Sequence, residues 1–472
     1  MLEKTFAEAK TVKIVATLGP SCREREAILE LTRAGADIFR VNLSHSSEDE
    51  VNAMVANVRA VEKIVGRPLA ILADLAGPKI RIGQTIDGAR LSAGDEVEIL
   101  TRSGERSAYS LSLNFSSVLK NLKPGNGIYL GDGTIHLAVE RKLAHGVLTR
   151  VISGGHLRSQ MGFAAEGLTL KKFALSSKDL QDVALVTSLK VDAIAVSFVQ
   201  TPRDIEAVRR LLPQNNRPLL IAKIETVPGV NNADKILKIA DGLMVARGDL
   251  GLSMPIAELP HIQKKLIALG LRNAKPVITA TQMLESMIAH PMPTRAEVTD
   301  VANAILDGTD AVMLSGETAV GKFPAEAVAM MTKIIASTTP HVVPRFFDNE
   351  ASIADAVSSS TVAIANQTGA KLVIVFTESG TTARRISRHR NPQPIVALSP
   401  NPQTIRQLSF SWGVSAQQIS STKDFDDLVG SAQRIARKNP VRPLNHGEVF
   451  VVSAGVPFGK VGSTNLALVE RA

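Results

Sequence analysis

Short apolar runs rich in Val, Ile, Leu and Ala recur along the chain between longer amphipathic segments. This pattern is typical of parallel strands that are buried on both faces and alternate with helices. Eight such units predict an α/β fold with a closed (β/α)8 TIM barrel, in which the chemistry lies at the carboxyl ends of the strands. The predicted strands are 13–17, 38–43, 69–75, 193–198, 219–225, 242–248, 276–282 and 311–317.

The helical rhythm breaks between the third and fourth strands, where glycine-punctuated alternating strands (95–101, 127–133, 135–142 and 146–155) predict an inserted all-β lid. Beyond Pro340 and Pro344, strands 371–377, 394–399 and 448–452 alternate with helices 352–366, 382–389 and 424–438. We therefore predict three domains. They are the catalytic barrel (1–77 and 167–338), the inserted β-barrel lid (78–166) and a C-terminal α/β sheet domain of regulatory type (339–472).

Length and composition fit a multidomain globular protein. The 472 residues exceed one ordinary core, and 44% are hydrophobic and 21% charged. With Cys22 as the single cysteine, no intramolecular disulfide can form, and a sulfur-ligated zinc site is excluded. The first ten residues carry charges where a secretory signal would be apolar, and no run is long and apolar enough to span a bilayer. The expected location is the cytoplasm, with no membrane partner.

The formal net charge of +9 raises the question of a nucleic-acid partner. Lysine and arginine are scattered, however, and the aromatic content of 4% argues against stacking platforms for bases, so we expect no nucleic-acid binding. A basic balance also suits a site that holds phosphates, although a soluble surface with an excess of lysine and arginine is the better explanation of net charge alone.

Polar residues stand at the ends of seven of the eight predicted strands. In a barrel these ends converge on one face, which predicts a single site, whereas any one of them could simply mark a strand running out into a solvated loop. The residues are Arg40, Asn42, Ser44, Asp74, Ser197, Lys223, Glu225, Arg247, Asp249, Thr281, Gln282, Ser315 and Glu317.

The most informative of these are Lys223, Glu225 and Asp249, on neighbouring strand ends. Glu225 and Asp249 could each give one carboxylate oxygen to Mg²⁺, which typically keeps substrate and water in its remaining positions. Lys223 lies two residues before Glu225 and therefore projects to the same face. Its ammonium could neutralise charge on a transferring phosphoryl group and on an enolate left behind. As an isolated pair, Lys223 and Glu225 could equally form a plain salt bridge.

Gly248 and Gly251 flank Asp249 and Leu250 where a strand gives way to a helix. Backbone N–H groups there could hold a substrate carboxylate at the positive helix end. The chain has no Gly-x4-Gly-Lys-[Ser/Thr] loop and no Gly-x-Gly-x-x-Gly after a strand, so the common nucleotide folds are not indicated. Nucleotide phosphates would have to be held in another way.

Five longer segments resemble the pyruvate kinase family, and their order along the chain makes the match specific. They read Lys-Ile-Val-Ala-Thr-Leu-Gly-Pro at 13–20, Phe-Arg-Val-Asn-Leu-Ser-His at 39–45, Ala-Thr-Gln-Met-Leu-Glu-Ser at 280–286, Pro-Thr-Arg-Ala-Glu at 293–297 and Met-Leu-Ser-Gly-Glu-Thr at 313–318. The resemblance implies phosphoryl transfer from phosphoenolpyruvate to ADP, giving ATP and pyruvate in the last step of glycolysis. It also implies Mg²⁺ as cofactor, with Mn²⁺ as a substitute, and a homo-oligomer, either the tetramer typical of the family or a dimer.

The resemblance assigns roles residue by residue. Lys223 would stabilise the transition state and Arg40 would hold the transferring phosphoryl group, while Glu225 and Asp249 would ligate Mg²⁺. Thr281 would lie near the enolate. The phosphoenolpyruvate site would be completed by Gly248 beside Asp249, the proton relay would include Ser315 and Glu317, and the nucleotide would be met by Asn42, Leu43, Ser44, His45 and Arg81.

Many members of the family hold K⁺ among oxygens at the positions matching Asn42, Ser44, Asp74 and the carbonyl of Leu75. Those members carry Glu where this chain has Lys79, and the Lys form accompanies K⁺ independence, as in a bacterial subgroup. One ammonium on a flexible stem can supply the charge that K⁺ would bring, so K⁺ is not expected to be required. Alternatively, Lys79 is a solvated hinge residue.

Two further segments bear on the resemblance. Many relatives have Lys-Gly-x-Asn-Leu-Pro after the lid, where this chain reads Glu-Gly-Leu-Thr-Leu-Lys-Lys from 166 to 172. The usual lysine contact to the nucleotide is therefore missing, with Lys171 and Lys172 as unsupported replacements. In the third domain, a loop after a predicted strand could cradle the phosphate of an effector, or could merely cap a helix. The loop residues are Thr377, Ser379, Gly380, Thr381 and Thr382.

Two rival functions use parts of the same pattern. A barrel aldolase or lyase would also stabilise a pyruvate enolate with Mg²⁺, but it needs neither ADP nor a lid. A non-catalytic or nucleic-acid-binding protein of the same fold would not need Lys223, Glu225, Asp249 and Thr281 together.

Overall fold

Eight parallel strands close into a barrel in the computed structural model, because the first strand pairs with both the second and the eighth. The structure describes residues 10–44, 46–86, 88–101, 107–131, 133–166, 175–347, 352–439 and 442–472. The predicted TIM barrel is confirmed. Its strands are Lys13–Thr17, Ile38–Asn42, Ala70–Asp74, Ala193–Val196, Leu219–Ile224, Gly242–Ala246, Val277–Ala280 and Ala311–Leu314.

Helices surround the barrel because alternate strand residues face outward and need an apolar cover. Several helices begin with a capping box, in which Ser or Thr and an acidic residue three positions later satisfy free backbone N–H groups, as with Ser47 and Glu50. The helices of this region are Arg25–Ala34, Glu48–Val65, Ser177–Ser188, Pro202–Arg209, Val227–Asn231, Ala233–Ile239, Arg247–Ser253, Leu259–Arg272, Arg295–Asp307, Gly316–Ala319 and Pro324–Thr338.

Seven of the eight barrel strands end earlier than predicted, and three of them are followed closely by a helix or a left-handed turn. Arg247 already begins a helix, and a second helix begins at Gly316. Thr281 and Gln282 follow the seventh strand in the left-handed backbone region, with φ of 69° and 52°. Apolar periodicity could not indicate these ends, because the turns are set by tertiary contacts described below.

The insertion between the third and fourth strands is all-β, as predicted. A six-stranded sheet and a separate two-stranded sheet enclose their own apolar cluster. Isolated bridges from Arg81 to Gly162 and from Ile82 to Leu113 tie the insertion's first residues to its later segments. Its strands are Arg90–Leu91, Glu96–Leu100, Ser110–Ser112, Gly127–Leu130, Ile135–Leu143, Gly146–Ser153, Gly155–His156 and Phe163–Ala165.

The C-terminal region is a five-stranded sheet covered by helices, which confirms the predicted α/β class. Two strands escaped sequence analysis: Val414–Gln418, which is half polar, and Thr464–Arg471, which pairs antiparallel at the edge. The other three are Val373–Phe376, Ile395–Ser399 and Val449–Gly455, and the helices are Ile353–Gln367, Thr381–Ser387, Pro402–Gln407 and Phe425–Lys438. In the described part of the chain, no helix is long and apolar enough to cross a membrane.

The C-terminal sheet docks on the amino-terminal end of the barrel. Phe410 is fully buried in the same apolar cluster as the inward-facing strand residues, so it fills the barrel from below. Polar contacts surround this plug. Arg406 Nε lies 2.8 Å from a carboxylate oxygen of Asp192, and Lys13 Nζ donates to the Val414 carbonyl at 2.8 Å. The opposite end of the barrel is left open for a site.

Candidate active site

Lys223 contacts three polar side chains at the carboxyl end of the barrel. Its ammonium nitrogen lies 3.1 Å from Asp74 Oδ1 and 3.0 Å from Glu225 Oε1. It also donates to Ser197 Oγ at 2.7 Å. The three partners come from strand ends around the barrel, and 11% of the Lys223 side chain is exposed. The ammonium is thus fixed in position while remaining reachable.

Arg40 approaches Asp74 from the other side. Its Nε and NH2 atoms each lie 2.7 Å from Asp74 Oδ2, and its NH1 donates to Thr17 Oγ1 at 3.1 Å. Such a fork is geometrically restrictive, so the guanidinium is held rigidly next to Lys223. Two positive groups therefore stand side by side over one buried carboxylate.

The pKa values of these groups follow from burial and charge. Burial would raise the pKa of Asp74, but Lys223 and Arg40 outweigh it and hold that pKa below its usual value. Burial would lower the pKa of Lys223, yet Asp74 and Glu225 raise it overall. Asp74 is therefore ionised and Lys223 is charged at neutral pH.

Glu225 has the opposite balance. Burial raises the pKa of Glu225, Asp249 and Asp74 add to the rise, and Lys223 only partly opposes them. Its Oε2 accepts a 2.6 Å hydrogen bond from the Phe198 backbone N–H. The repulsion between Glu225 and Asp249 is relieved if a cation binds beside them.

Glu225 and Asp249 fit the requirements of Mg²⁺. Both line a cavity of about 220 Å³ at the barrel mouth, which leaves room for substrate and water oxygens. Among the described residues no group of three or more His, Cys, Asp or Glu side chains is placed to hold a metal, so a chelating cage of zinc type is not formed there. An open, two-carboxylate site is what Mg²⁺ commonly uses.

Thr281 faces Gly248 across the neighbouring strand ends. Its Oγ1 accepts a hydrogen bond from the Gly248 backbone N–H at 2.8 Å and donates to the Ala280 carbonyl at 2.6 Å. A side chain at Gly248 would lie 3.5 Å from Thr281 Oγ1, in ordinary contact, so this glycine is not forced by Thr281.

Arg247 is a site residue to which sequence reasoning gave no role. Its guanidinium donates to the carbonyl oxygens of Thr281, at 2.6 Å from NH2, and of Gln282, at 3.0 Å. It also pairs with Asp300 at 2.5 Å and is buried. The signal available in the sequence was a charged residue directly after a buried strand, but its partners lie 34 to 53 positions away.

Ser315 and Glu317 lie together, but Glu317 is engaged with the backbone. It is fully buried and accepts hydrogen bonds from the N–H groups of Ser315, at 2.7 Å, and Leu284, at 3.1 Å. The Ser315 hydroxyl is buried without a hydrogen-bond partner among the described residues. The contacts thus show Glu317 shaping the loop, and the relay role of both residues stays a prediction.

The residues predicted to meet the nucleotide are only partly brought together. Asn42 Oδ1 accepts from the Ser44 backbone N–H at 3.1 Å, and the buried Leu43 offers its carbonyl to Lys178 Nζ at 2.8 Å. Arg81 lines the cavity and donates to the Gln160 carbonyl. His45, Lys171 and Lys172 lie outside the described residues.

Lys79 lines the same cavity as Arg81, Glu225 and Asp249. Its backbone is tied to Gly77 and Asn114, whereas its side chain makes no ion pair in the described part of the chain. The ammonium is therefore free to reach into the cavity. Leu75 is buried, and its carbonyl already accepts from Ser197 Oγ at 2.7 Å.

The loop predicted to cradle an effector phosphate is well ordered by its own contacts. Thr377 Oγ1 accepts from the Gly380 N–H at 3.0 Å, and the Ser379 and Thr381 hydroxyls lie 2.9 Å apart. Thr382 Oγ1 lies 2.6 Å from Thr464 Oγ1. The loop lines a cavity of about 220 Å³ whose far wall, residues 458–464, sequence analysis did not identify.

Comparison with known proteins gives matches along nearly the whole chain. The family model for the barrel domain of pyruvate kinase matches residues 9–328, and that for the pyruvate kinase alpha/beta domain matches residues 355–470. The pyruvate kinase of Mycobacterium tuberculosis is 36% identical over 97% of this chain and 98% of its own length. Pyruvate kinase 2 of Synechocystis is 39% identical over 98% of this chain and 79% of its own length.

A crystal structure of a pyruvate kinase from Cryptosporidium parvum superposes with a TM-score of 0.89 at 32% identity, covering 98% of this chain and 96% of that one. Sequence and structure therefore agree along both the barrel and the C-terminal sheet, and the resemblance found in the sequence is confirmed. Together with the lysine, arginine and carboxylates gathered at the barrel mouth, these matches establish that the chain is an enzyme belonging to the pyruvate kinase family.

Proposed function

We propose that this enzyme transfers the phosphoryl group of phosphoenolpyruvate to ADP with Mg²⁺ and without a K⁺ requirement, giving ATP and pyruvate. The observation that carries the proposal is the pairing of Lys223 and Arg40 over Asp74. Two fixed cations at the mouth of the barrel suit a reaction in which negative charge moves between oxygens. Phosphoryl transfer depends chiefly on positioning and electrostatics, so such groups supply most of what it needs.

In this proposal Arg40 binds the phosphoryl group and Lys223 stabilises the charge that develops as it moves in line to ADP. Lys223 then faces the enolate that is left behind. Thr281 and Gly248, which are hydrogen-bonded to each other, would orient the carboxylate end of the substrate. The proton that converts the enolate to pyruvate would arrive from the side of the enolate that faces Thr281. Ser315 lies near that side, because Glu317 accepts hydrogen bonds from the N–H groups of both Ser315 and Leu284.

Glu225 and Asp249 would hold Mg²⁺, or Mn²⁺ in its place. When bound, the dication would neutralise phosphoryl oxygens and supply no redox chemistry. Burial raises the pKa of Glu225 and the neighbouring charge of Asp249 raises it further, and a bound dication would relieve that repulsion. Asn42, Leu43, Ser44, His45 and Arg81 would bind the nucleotide.

Independence of K⁺ is supported by the charge balance at Asp74. Both of its oxygens already face a protein cation, Arg40 on one side and Lys223 on the other. The ammonium of Lys79, which makes no ion pair with the described residues, can add a further positive charge next to incoming phosphates. We also propose domain boundaries near 78, 167 and 339, a cytoplasmic location and a homo-oligomeric state, tetramer or dimer.

An assay of pyruvate formation with and without ADP tests the proposal. A phosphoryl transferase gives pyruvate and ATP in equal amounts and nothing when ADP is withheld. Pyruvate released from a carbon–carbon cleavage substrate without ADP would instead identify a lyase. The same assay in buffers with and without Mg²⁺ tests the metal.

A further inference from the structure

A small cleft between the barrel and the C-terminal sheet collects positive charge. It lies at the end of the barrel opposite the mouth. There it is lined by the residues that precede strand Val277–Ala280 and by side chains of helix Thr381–Ser387. Four cationic side chains and one carboxylate line it, so the net charge of the lining is strongly positive. The polar lining residues are Lys275, Arg384, Arg388, Arg390, Asp310, Ser387 and Ser411.

Most of these charges are already matched. Arg390 lies 2.8 Å from an oxygen of Asp310 and donates to the Gly308 carbonyl at 2.7 Å. Lys275 donates to two carbonyls at the end of a helix, including that of Ala240 at 2.5 Å. The Asp310 carboxylate in the lining is therefore already paired with Arg390, and it compensates a second cation only in part.

Arg384 is the exception. Its NH1 donates to the Ser379 carbonyl at 3.2 Å, but its Nε and NH2 are buried with no acceptor among the described residues. The hydroxyl of Ser411, a residue only 1% exposed, is likewise buried without a partner there. Burial lowers the pKa of Arg384, and the carboxylates of Asp241 and Asp310 oppose this only in part.

Leaving guanidinium N–H groups and a hydroxyl unsatisfied is costly, and native proteins rarely do so without a ligand or water. A water molecule would accept a hydrogen bond but would leave the positive charge uncompensated. An anion meets both needs. The planar guanidinium offers Nε and NH2 as a fork that matches oxyanions, and Ser411 can donate a third hydrogen bond.

We propose that this cleft binds an oxyanion, one oxygen of which enters between Arg384 and Ser411. The open space is about 10 Å³, which holds a single water-sized atom. The remainder of the anion, whether free phosphate or the phosphoryl end of a metabolite, stays outside this small space in the cleft that Lys275 also lines. Its ligands differ from the hydroxyls of the 377–382 loop, whose Ser379 carbonyl accepts a hydrogen bond from Arg384 NH1.

Crystals grown without sulfate or phosphate and soaked in selenate test the site directly. We expect an anomalous peak within hydrogen-bond distance of Arg384 Nε or NH2 and of Ser411 Oγ. Peaks at other phosphate sites of the enzyme, with none in this cleft, would overturn the proposal. Peaks at those other phosphate sites would show that selenate had entered the crystal, so that an empty cleft would be a real negative result.

Calorimetric titration with inorganic phosphate tests the site in solution. In Arg384→Gln the number of phosphate sites should fall by one, whereas Arg437→Gln, which removes an exposed charge from the same region, should keep all of them. Ser411→Ala removes only a hydroxyl and should weaken this site roughly tenfold; it serves as the second variant if Arg384→Gln does not fold. Unchanged phosphate binding in Ser411→Ala and in folded Arg384→Gln contradicts the assignment.

Free phosphate and a phosphate monoester share the same chemistry, and glycerol 2-phosphate titrated in parallel distinguishes them. Tighter binding of the ester, lost in Arg384→Gln, identifies a phosphorylated metabolite as the ligand. Tighter binding of inorganic phosphate, lost in the same variant, identifies the free ion. If the binding of both inorganic phosphate and glycerol 2-phosphate is unchanged in Arg384→Gln and in Ser411→Ala, the proposal is wrong.

Discussion

Arg247 holds the carbonyl oxygen of Thr281 at 2.6 Å from its NH2, and Thr281 has a left-handed backbone with φ of 69°. A threonine rarely adopts this conformation, which costs of the order of 1–3 kcal/mol and persists only where surrounding contacts enforce it. The guanidinium also binds the next carbonyl, that of Gln282. Arg247 therefore fixes the turn that points the Thr281 hydroxyl at Gly248.

Arg247→Lys should lower kcat by about 10²-fold with a smaller effect on KM, because one ammonium cannot hold both carbonyls and a displacement of about 1 Å is that costly. Steady-state kinetics with phosphoenolpyruvate and ADP provide the measurement. Arg203→Lys, at an exposed helix position, is the matched control and should leave both constants unchanged. Equal kinetics in the two variants would show that Arg247 does not position Thr281.

Lys223→Met removes the central ammonium while keeping similar bulk. Loss of one preorganised charge donor costs about 10²–10³ in kcat, and the loss here should reach that range because Lys223 contacts Asp74 and Glu225 at once. Lys238→Met, whose side chain is 68% exposed, is the control. A folded Lys223→Met variant with near-normal turnover rules out the assigned role.

Glu225→Gln and Asp249→Asn each remove one hard anionic ligand with little change of shape. Both should shift the Mg²⁺ activation curve to higher concentration, since a neutral amide binds the dication more weakly. Direct titration of Mn²⁺ by electron paramagnetic resonance gives a readout independent of turnover. Glu258→Gln, at an exposed position, is the control, and parent-like Mg²⁺ and Mn²⁺ curves in both site variants mean that other residues bind the metal.

Phe410→Ala should destabilise the fold by about 3–5 kcal/mol, because it empties the amino-terminal end of the barrel core. Urea unfolding followed by circular dichroism measures the loss. Phe425→Ala, in which the ring removed is 48% exposed, should cost far less. Similar midpoints for the two variants would mean that the C-terminal plug does not support the barrel.

The barrel was predictable from sequence because each strand is a short apolar run buried on both faces, as in Ala-Ile-Leu-Ala-Asp at 70–74. The pairing of Lys223 with Glu225 was also predictable, because alternation along one strand places both on one face. Arg247 and Phe410 were not. Their partners lie on distant segments, and only the closed barrel and the docked sheet bring them together.

The sequence also could not predict that Arg384 has two guanidinium nitrogens without an acceptor among the described residues. In the sequence it is one of four closely spaced arginines, at positions 384, 385, 388 and 390, of which the first two lie on helix Thr381–Ser387. Arg385 and Arg388 form ion pairs with Asp355, and Arg390 forms one with Asp310. Periodicity cannot reveal which arginine is left without a carboxylate, because that depends on how the helix meets the barrel.

Asp74 is the carboxylate around which K⁺ would be held, yet its oxygens already lie 2.7 Å from Arg40 and 3.1 Å from Lys223. Lys79 lines the same cavity as Glu225 and Asp249, and its ammonium makes no ion pair in the described part of the chain. A covalently attached cation is present at every turnover, so dissolved K⁺ should add nothing. We expect full activity when the monovalent cation is a bulky amine at constant ionic strength.

Lys79→Glu reverses one charge at the edge of the cavity, so phosphate binding should weaken unless a cation restores the balance. The variant should therefore be slow in bulky-amine buffer and should gain activity as K⁺ replaces the amine. Lys79→Met separates the lost charge from the added one, because it should be slow in both buffers if the carboxylate is needed to bind K⁺. Lys238→Glu reverses the charge of an exposed side chain, and its activity should be the same with K⁺ as with the bulky amine. If K⁺ strongly activates the parent enzyme at constant ionic strength, Lys79 does not replace the ion; if Lys79→Glu ignores K⁺, this side chain does not set the requirement.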